Sequence, residues 1–419
     1  MALHPYVRRP GCESDFHTLE PMDYYVNTSE LVQMLKKGHH GVELDNEEWD
    51  RLITWIDMNV PFHGKYTPPE FNEHIQPNRR KELSLLYGNV DLTGEQEFED
   101  AKKRLEAKGP IEPVMPKEVY KRNEKIKLDG WPLSDAEALA LQKKFADDGQ
   151  LTRTVELSEG INLDLVRIPA GKFVLGNNDG QPDQQERVVE IEKPFWMAKT
   201  EITNAMFRSI FEDHNSRFID QQWKDHIFAG YPANEDQMPA IRMTWEKAHE
   251  FCEKLSANTG LKFSLPTEEQ WEWAARAGSN NDMYFGNLED DFSAYENLAD
   301  YTLRDLAVIG VDPKPMGPDN PRFKVYNFVP KVEKYNDGVL VPQGTASYKS
   351  NLWGLHDILG NVAEWTKSDY NFYGDDKNLK VARGGSWRDT PKHSTVATRD
   401  GYLPYQKVFN VGFRLIIED

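Results

Sequence analysis

GLHDILGNVAEW, residues 354–365, lies in the long stretch after Gly278 where Gly, Asn, Asp and aromatic residues crowd together and regular periodicity fades. So much irregular chain inside a compact domain is either functional or tied down by something, and a metal ion is an economical tie. The stretch carries two acids, Asp357 and Glu364. The plain reading of both is that they cap turns.

Upstream, regular structure returns. PTEEQWEWAARAG (266–278) spaces Thr267 and Gln270 as a capping box and stops at Gly278. TWEKAHEFCEKLSANTG (244–260) has Thr244 as N-cap, an apolar face of Ala248, Phe251, Cys252 and Leu255, and Gly260 at its end. LDLVRIPAGKFVLG (163–176) alternates apolar residues and ends in turn glycines, which predicts a hairpin. The Glu and Asp pairs on these and other helical faces read as solvated surface.

Texture divides the chain into three. Residues 1–68 form a helical module rich in His and aromatics. In it, SELVQMLKKGHHG (29–41) reads as a helix ending in glycine. LDNEEWDRLITWIDMN (44–59) has Asp45 and Glu48 as a capping-box variant, then Trp49, Leu52, Ile53 and Ile56 on one face. Residues 69–153 are polar, charged and broken by Pro. EQEFEDAKKRLEAKG and SDAEALALQKKF are helical there, the second opened by Ser134 and Glu137, and the region reads as a helical connector. Residues 154–419 are the third region.

The 419 residues suit two or three domains, and the 11 Trp point to an aromatic-rich core. A formal net charge of −19 argues against nonspecific nucleic-acid binding, which needs clustered Lys and Arg to displace counterions; it favours cations. No apolar run is long enough for a membrane-spanning helix. The opening MALHPYVRRPG lacks a signal-peptide pattern and reads as cut from a longer or processed protein. Two cysteines, Cys12 and Cys252, exclude a disulfide scaffold and a Cys-rich zinc site. No P-loop, nucleophile-elbow or zincin signature occurs.

Seven ordered motifs connect residues 154–419 to a known family: IPAGKFVLG (168–176), KTEITNAMF (199–207), PAIRMTWEKAHEFC (239–252), LPTEEQWEWAARAG (265–278), GLHDILGNVAEW (354–365), ARGGSW (382–387) and NVGFRL (410–415). This region resembles the formylglycine-generating enzymes, or sulfatase-modifying factors. The resemblance implies an α+β fold: a C-type-lectin-like domain with long irregular loops and bound Ca²⁺, preceded here by a small, mostly α-helical N-terminal region. Residues 1–150, through HPYVRRPG, SELVQMLKKGHHGVEL and EEWDRLITWIDMNVPFHG, resemble the tail of hydrazine-synthase-α-like bacterial proteins, although no haem-attachment C-x-x-C-H occurs.

Carried over by the resemblance, one calcium site falls on Asn297, Leu298, Asp337 and Val339 and a second on Asp357, Gly360, Val362 and Glu364, so two Ca²⁺ ions are implied. The apolar residues and Gly would donate carbonyls. The first set depends on aligning YNDGV across an insertion near 301–330. The family's oxidase chemistry resembles a copper(I) reaction held by two thiolates, which suit that soft metal. Here the two cysteine positions are Asp389 and Ser394, so standard formylglycine generation is rejected and no copper is expected.

What remains is a pseudoenzyme-like calcium-binding module for ligand binding or protein assembly. Its groove candidates are Ser386, Trp387, Asp389, His393, Tyr402 and Tyr405, and its ligand would be a peptide, glycan or protein. Core packing is the alternative for the aromatics. One competing reading is a metal-dependent oxidoreductase, with iron or another non-copper transition metal held by Asp389, His393 and upstream histidines (His4, His17, His39, His40, His63), as in the related ergothioneine-type sulfoxide synthases. Another is an accessory subunit of a redox or haem complex, resting on the N-terminal resemblance. A periplasmic or secreted bacterial protein, part of a larger polypeptide or complex, completes the expectation.

Overall fold

Residue alternation builds the central sheet. The computed structural model describes residues 3, 6–7, 26–58, 75–91, 94–107, 124–219, 230–305, 332, 334–371 and 378–418. Two compact units divide the chain: Met1 with His40–Lys121, and Ala2–His39 with Arg122–Asp419.

The first unit is helical: α2 (Asn46–Asp57), α3 (Ile75–Gly88) and α4 (Gly94–Ala107). The box of Asp45 and Glu48 closes α2, each side chain accepting the other residue's backbone N–H. Of its described side chains only Ile56 is buried. Trp49, Leu52 and Ile53 are partly buried.

The second unit begins with α1 (Glu30–Lys36), capped by Ser29, and continues with α5 (Asp135–Lys144), closed by the expected box of Ser134 and Glu137. Strands follow: β1 (Thr152–Ser158), β2 (Ile161–Ile168), β3 (Gly171–Leu175), β4 (Arg187–Ile191) and β5 (Phe195–Ala198). Next come α6 (Asn204–Arg208), the short β6 (Phe218–Ile219) and β7 (Tyr231–Pro232), α7 (Trp245–Thr259), β8 (Phe263–Ser264) and α8 (Glu268–Arg276). The chain ends with β9 (Ala363–Asp369), β10 (Lys380–Arg383), β11 (Arg399–Tyr402), β12 (Val411–Gly412) and β13 (Ile416–Glu418). Among the described residues no helix is long and apolar enough to cross a membrane.

A five-stranded sheet runs β1-β2-β5-β13-β8, and a four-stranded one β11-β10-β9-β12. Period-two alternation sorts the first sheet's side chains onto two faces. Leu163, Leu165, Trp196, Ala198, Leu415 and Ile417 meet α7 through Phe251 and Leu255. Val166, Ile168, Phe195, Met197 and Ile416 face the other way, onto Trp271 and Trp273 of α8. The predicted hairpin within 163–176 does not form. β2 pairs with β1 and β5, whereas β3 pairs with β4. The Pro169–Ala170 turn separates two strands that belong to different sheets, and strand partners are set by long-range packing that alternation alone does not encode.

Part of the connector belongs to this unit. Trp131 meets Phe173 edge-on and Trp273 at a tilt, at 5.8 and 5.9 Å, and the Gln142 amide donates to the carbonyls of Arg167 and Trp353, both at 3.0 Å. Residues 154–419 are therefore extended on the N-terminal side by the segment around α5. The expectation that helical acids face water also fails at α8. Glu268 and Glu272 are buried, because α8 is wedged between the first sheet and β10 and carries a tryptophan on either side of Glu272.

Candidate functional site

The 354–365 loop curls because Asp357, Gly360 and Asn361 all adopt left-handed backbone, with φ of 49°, 67° and 49°. At Gly360 a Cβ would stand 2.5 Å from the carbonyl oxygen of Asn297, so only glycine fits. The curl brings this loop onto residues 296–298: the Asn361 amide donates to the Asn297 carbonyl at 2.9 Å. The two sets of calcium candidates thus lie side by side.

In the second set, Asp357 Oδ2 accepts from the Ala346 amide at 2.6 Å, while Oδ1 is buried with no hydrogen-bond partner. Burial pushes the Asp357 carboxyl up to about 6. Glu364, on β9, is already answered: both oxygens accept from Arg414 Nε at 2.7 Å, and Oε2 also from the Trp271 indole at 2.7 Å. Glu201 stands close to Asp357. It accepts from the Asn361 side chain at 3.0 Å through Oε1, and its Oε2 is buried without a partner. Burial first, then the Asp357 charge, drives the Glu201 carboxyl well above the usual range.

In the first set, the Asn297 amide donates to the Val341 carbonyl at 2.9 Å and its Oδ1 has no partner. Asp337 accepts from the Val339 amide at 2.8 Å and the Tyr348 hydroxyl at 2.9 Å, and burial lifts its carboxyl to about 7. The Val339 carbonyl accepts from Thr302 at 2.9 Å. Beside them, Glu296 is wholly buried with both oxygens lacking partners. Most of the 301–330 insertion lies outside the described residues.

The donors are oxygens, the hard type that Ca²⁺ prefers. Among the described residues no three His, Cys, Asp or Glu side chains converge as a metal would need, so a cation here would rely on carbonyls as well. Orphaned carboxylate and amide oxygens at Asp357, Glu201 and Asn297 fit such an ion. A buried oxygen with no donor is costly, and a buried negative charge more so.

The two positions that the resemblance matches to cysteines, Asp389 and Ser394, diverge. Asp389 accepts from Ser386 at 2.6 Å and lines a cavity of about 50 Å³ together with Thr28, Glu30, Gln33, Lys37 and His393. That is room for a few waters, each needing roughly 10–15 Å³. Ser394 instead turns inward, donating to the Gly384 carbonyl at 2.6 Å and accepting from the Gly360 amide at 3.1 Å. Tyr402 lines the cavity from the core side, in an edge contact with Trp365. Ser386 and Trp387 are buried, Trp387 against Phe409, and Tyr405 is half exposed away from the cavity lining. The groove's aromatic platform is therefore reduced to Tyr402.

His393 Nδ1 pairs with Glu30 Oε1 at 3.1 Å. Burial opposes the charged ring, but Glu30 and then Asp389 outweigh it and hold the ring above the usual histidine range. His4, His17, His63 and Cys12 lie outside the described residues, as does the side chain of His40. Cys252 is buried and donates to the Ala248 carbonyl at 3.3 Å; burial pushes its thiol far up, away from the reactive thiolate.

Sequence reasoning missed Glu201, Glu296, Lys37, Glu30 and Arg414. Arg414 had a signal, a lone charge inside the apolar run VGFRL. Glu30 and Lys37 had none, since their partners lie more than a hundred residues away.

Residues 154–419 match the family described as the sulfatase-modifying factor enzyme 1-like domain. The chain is similar to the inactive C-alpha-formylglycine-generating enzyme 2 of Bos taurus, 28% identical over 311 residues that cover 62% of this chain and 90% of that protein. It is also similar to the formylglycine-generating enzyme of Mus musculus, 25% identical, covering 60% and 74%. Among solved structures it is similar to PvdO from Pseudomonas aeruginosa, with a TM-score of 0.47 and 20% identity over 64% of this chain and 98% of that one.

Proposed function

We propose, for a chain that belongs to the sulfatase-modifying factor enzyme 1-like family, a calcium-braced binding or assembly role without cysteine oxidation. Asp389 and Ser394 stand where the family's thiolates would be, and neither can hold copper(I) or attack a substrate thiol. Cys252 cannot substitute from its buried helix face. The name of the bovine relative, an inactive enzyme, supports the same conclusion.

Buried oxygens without donors carry the calcium part of the role. Asp357 Oδ1, Glu201 Oε2 and Asn297 Oδ1 all lack partners beside a loop held in left-handed conformation. Asp357, Gly360 and Val362 would hold one ion, with Glu364 able to add only a lone pair not taken by Arg414 and Trp271, and Asn297, Leu298, Asp337 and Val339 the other. A bound ion would supply positive charge that ties loops to the sheet; the residues themselves already orient the oxygens.

The deciding measurement is metal content per chain of protein purified without added metal, followed by thermal unfolding with and without a calcium chelator. Calcium near two per chain, with chelation lowering the melting temperature and added Ca²⁺ restoring it, is the expected result. A stoichiometric content of copper, iron or zinc would replace this role with a metal-dependent oxidoreductase.

A further inference from the structure

Lys37 is a buried lysine, 7% exposed, at the C-terminal end of α1, and its ammonium enters a built receptor. It donates to the Arg399 carbonyl and to Asp400 Oδ1, the latter at 2.9 Å, and stands 3.9 Å from Asp183 Oδ2. Asp183 has no solvent contact at its side chain. Its Oδ2 accepts from the Tyr370 hydroxyl at 2.6 Å, and its Oδ1 has no hydrogen-bond partner. The adjacent guanidinium of Arg399 adds positive charge beside that carboxylate, but its own hydrogen bonds go elsewhere. It is committed to Glu268, at 2.7 and 3.1 Å, and to the Asp183 backbone carbonyl at 2.8 Å. Without Lys37, the Asp183 carboxylate would lose its nearest ammonium and keep only the neighbouring charge of Arg399.

The rest of α1 is seated by further contacts. Gln33 donates to the Gly401 carbonyl at 2.8 Å, Glu30 pairs with His393, and Leu31 and Val32 are buried. Burial opposes the Lys37 charge, yet Asp400 and then Asp183 hold its ammonium above the ordinary lysine value.

We propose that Asp183, Asp400 and the Arg399 carbonyl form a primary-alkylammonium site, that Lys37 is its resident ligand in cis, and that this contact keeps α1 closed over the cavity at Asp389. The ligand class is a lysine side chain. A quaternary, trimethylated ammonium lacks the N–H donors these oxygens require, and a guanidinium is too broad for a receptor shaped around one nitrogen. The site uses none of the calcium candidates, so it stands or falls apart from the calcium role.

The test is chemical rescue in the full chain. Lys37→Ala removes a piece the shape of n-propylammonium. Hydrogen exchange of the Leu31–Lys36 amides should accelerate at least tenfold in the variant. n-Propylammonium chloride at tens of millimolar should slow it again, while tetramethylammonium chloride and n-propanol at the same concentration should not. Unchanged exchange in the variant, rescue equal among the three additives, or no rescue by n-propylammonium would each overturn the site. Should Lys37→Ala fail to fold, Asp400→Asn keeps the lysine and alters a partly exposed carboxylate. It should still speed exchange of the same amides several-fold, and unchanged exchange there also overturns the site.

Discussion

Glu272 accepts from Arg276 Nε at 2.9 Å and from the Gly176 amide at 2.7 Å, and it pairs with Arg383, all out of contact with water. Burial works against its charge, but Arg276 and Arg383 outweigh that and hold the carboxyl below the usual range. Glu272→Gln keeps the shape and strands two buried guanidinium groups. Removing one side of such a cluster costs about 3–5 kcal/mol, and chemical denaturation of the variant should show a loss of that size at neutral pH. The pH dependence has a fixed sign. A depressed carboxyl stabilises the fold above its unfolded value, about 4.3, and that stability drains away as pH falls through the folded value. The gap between parent and variant should therefore narrow on acidification, and a gap independent of pH would rule out the charged cluster. Glu272 reads as surface in sequence because helices place acids in water by default. The contrary sign was its position between Trp271 and Trp273, a helix apolar on too many sides. Cys252 was legible for the opposite reason: it completes one narrow apolar face.

Elements whose signals are local were readable. The boxes of Asp45 with Glu48, Ser134 with Glu137 and Thr267 with Gln270 all close as spaced, because each needs only residues three apart. The hairpin across 163–176 was misread because pairing is settled by distant strands, β1 and β5 for one half and β4 for the other. Within the candidate site, the curl of 354–365 turns on glycine in a way that a comparison of two positions tests. Gly354 and Gly360 both have positive φ, 91° and 67°. A Cβ at Gly354 would meet only the flexible Val166 side chain at 3.5 Å, whereas at Gly360 it would run into the Asn297 backbone carbonyl at 2.5 Å. Left-handed strain alone costs of order 1–3 kcal/mol. Gly360→Ala should therefore lower the denaturation midpoint clearly more than Gly354→Ala. It should also weaken any calcium dependence of that midpoint, because Asn297 must move. Equal shifts would mean that the two loops do not bear on each other.

At the scale of the whole molecule, stability is unevenly supplied. The second unit has a sheet covered on both faces, with six tryptophans among its largest fully buried side chains. In the first unit, by contrast, Ile56 is the single buried side chain among those described, and Leu85, Leu86 and Tyr87 on α3 are exposed. Texture suggested a boundary at residue 153, but packing draws Trp131 and Gln142 into the second unit, and α1 as well, through contacts that no local pattern announces. Local opening free energy follows buried apolar contact, so hydrogen exchange should separate the units. Amides of α2 and α4 should exchange within seconds to minutes, while those of α8, β9 and β10 should remain protected for hours. On the proposed calcium sites, chelation should erode protection around 296–300 and 354–364 first and leave α2 and α4 unchanged, because ligand binding stabilises only the unit whose native state holds the ion. Protection of α2 as strong as that of α8 would require the first unit to bury far more than its described residues do. A loss of protection spread evenly over both units would mean that the ions, where they bind, are not confined to the loops of the second.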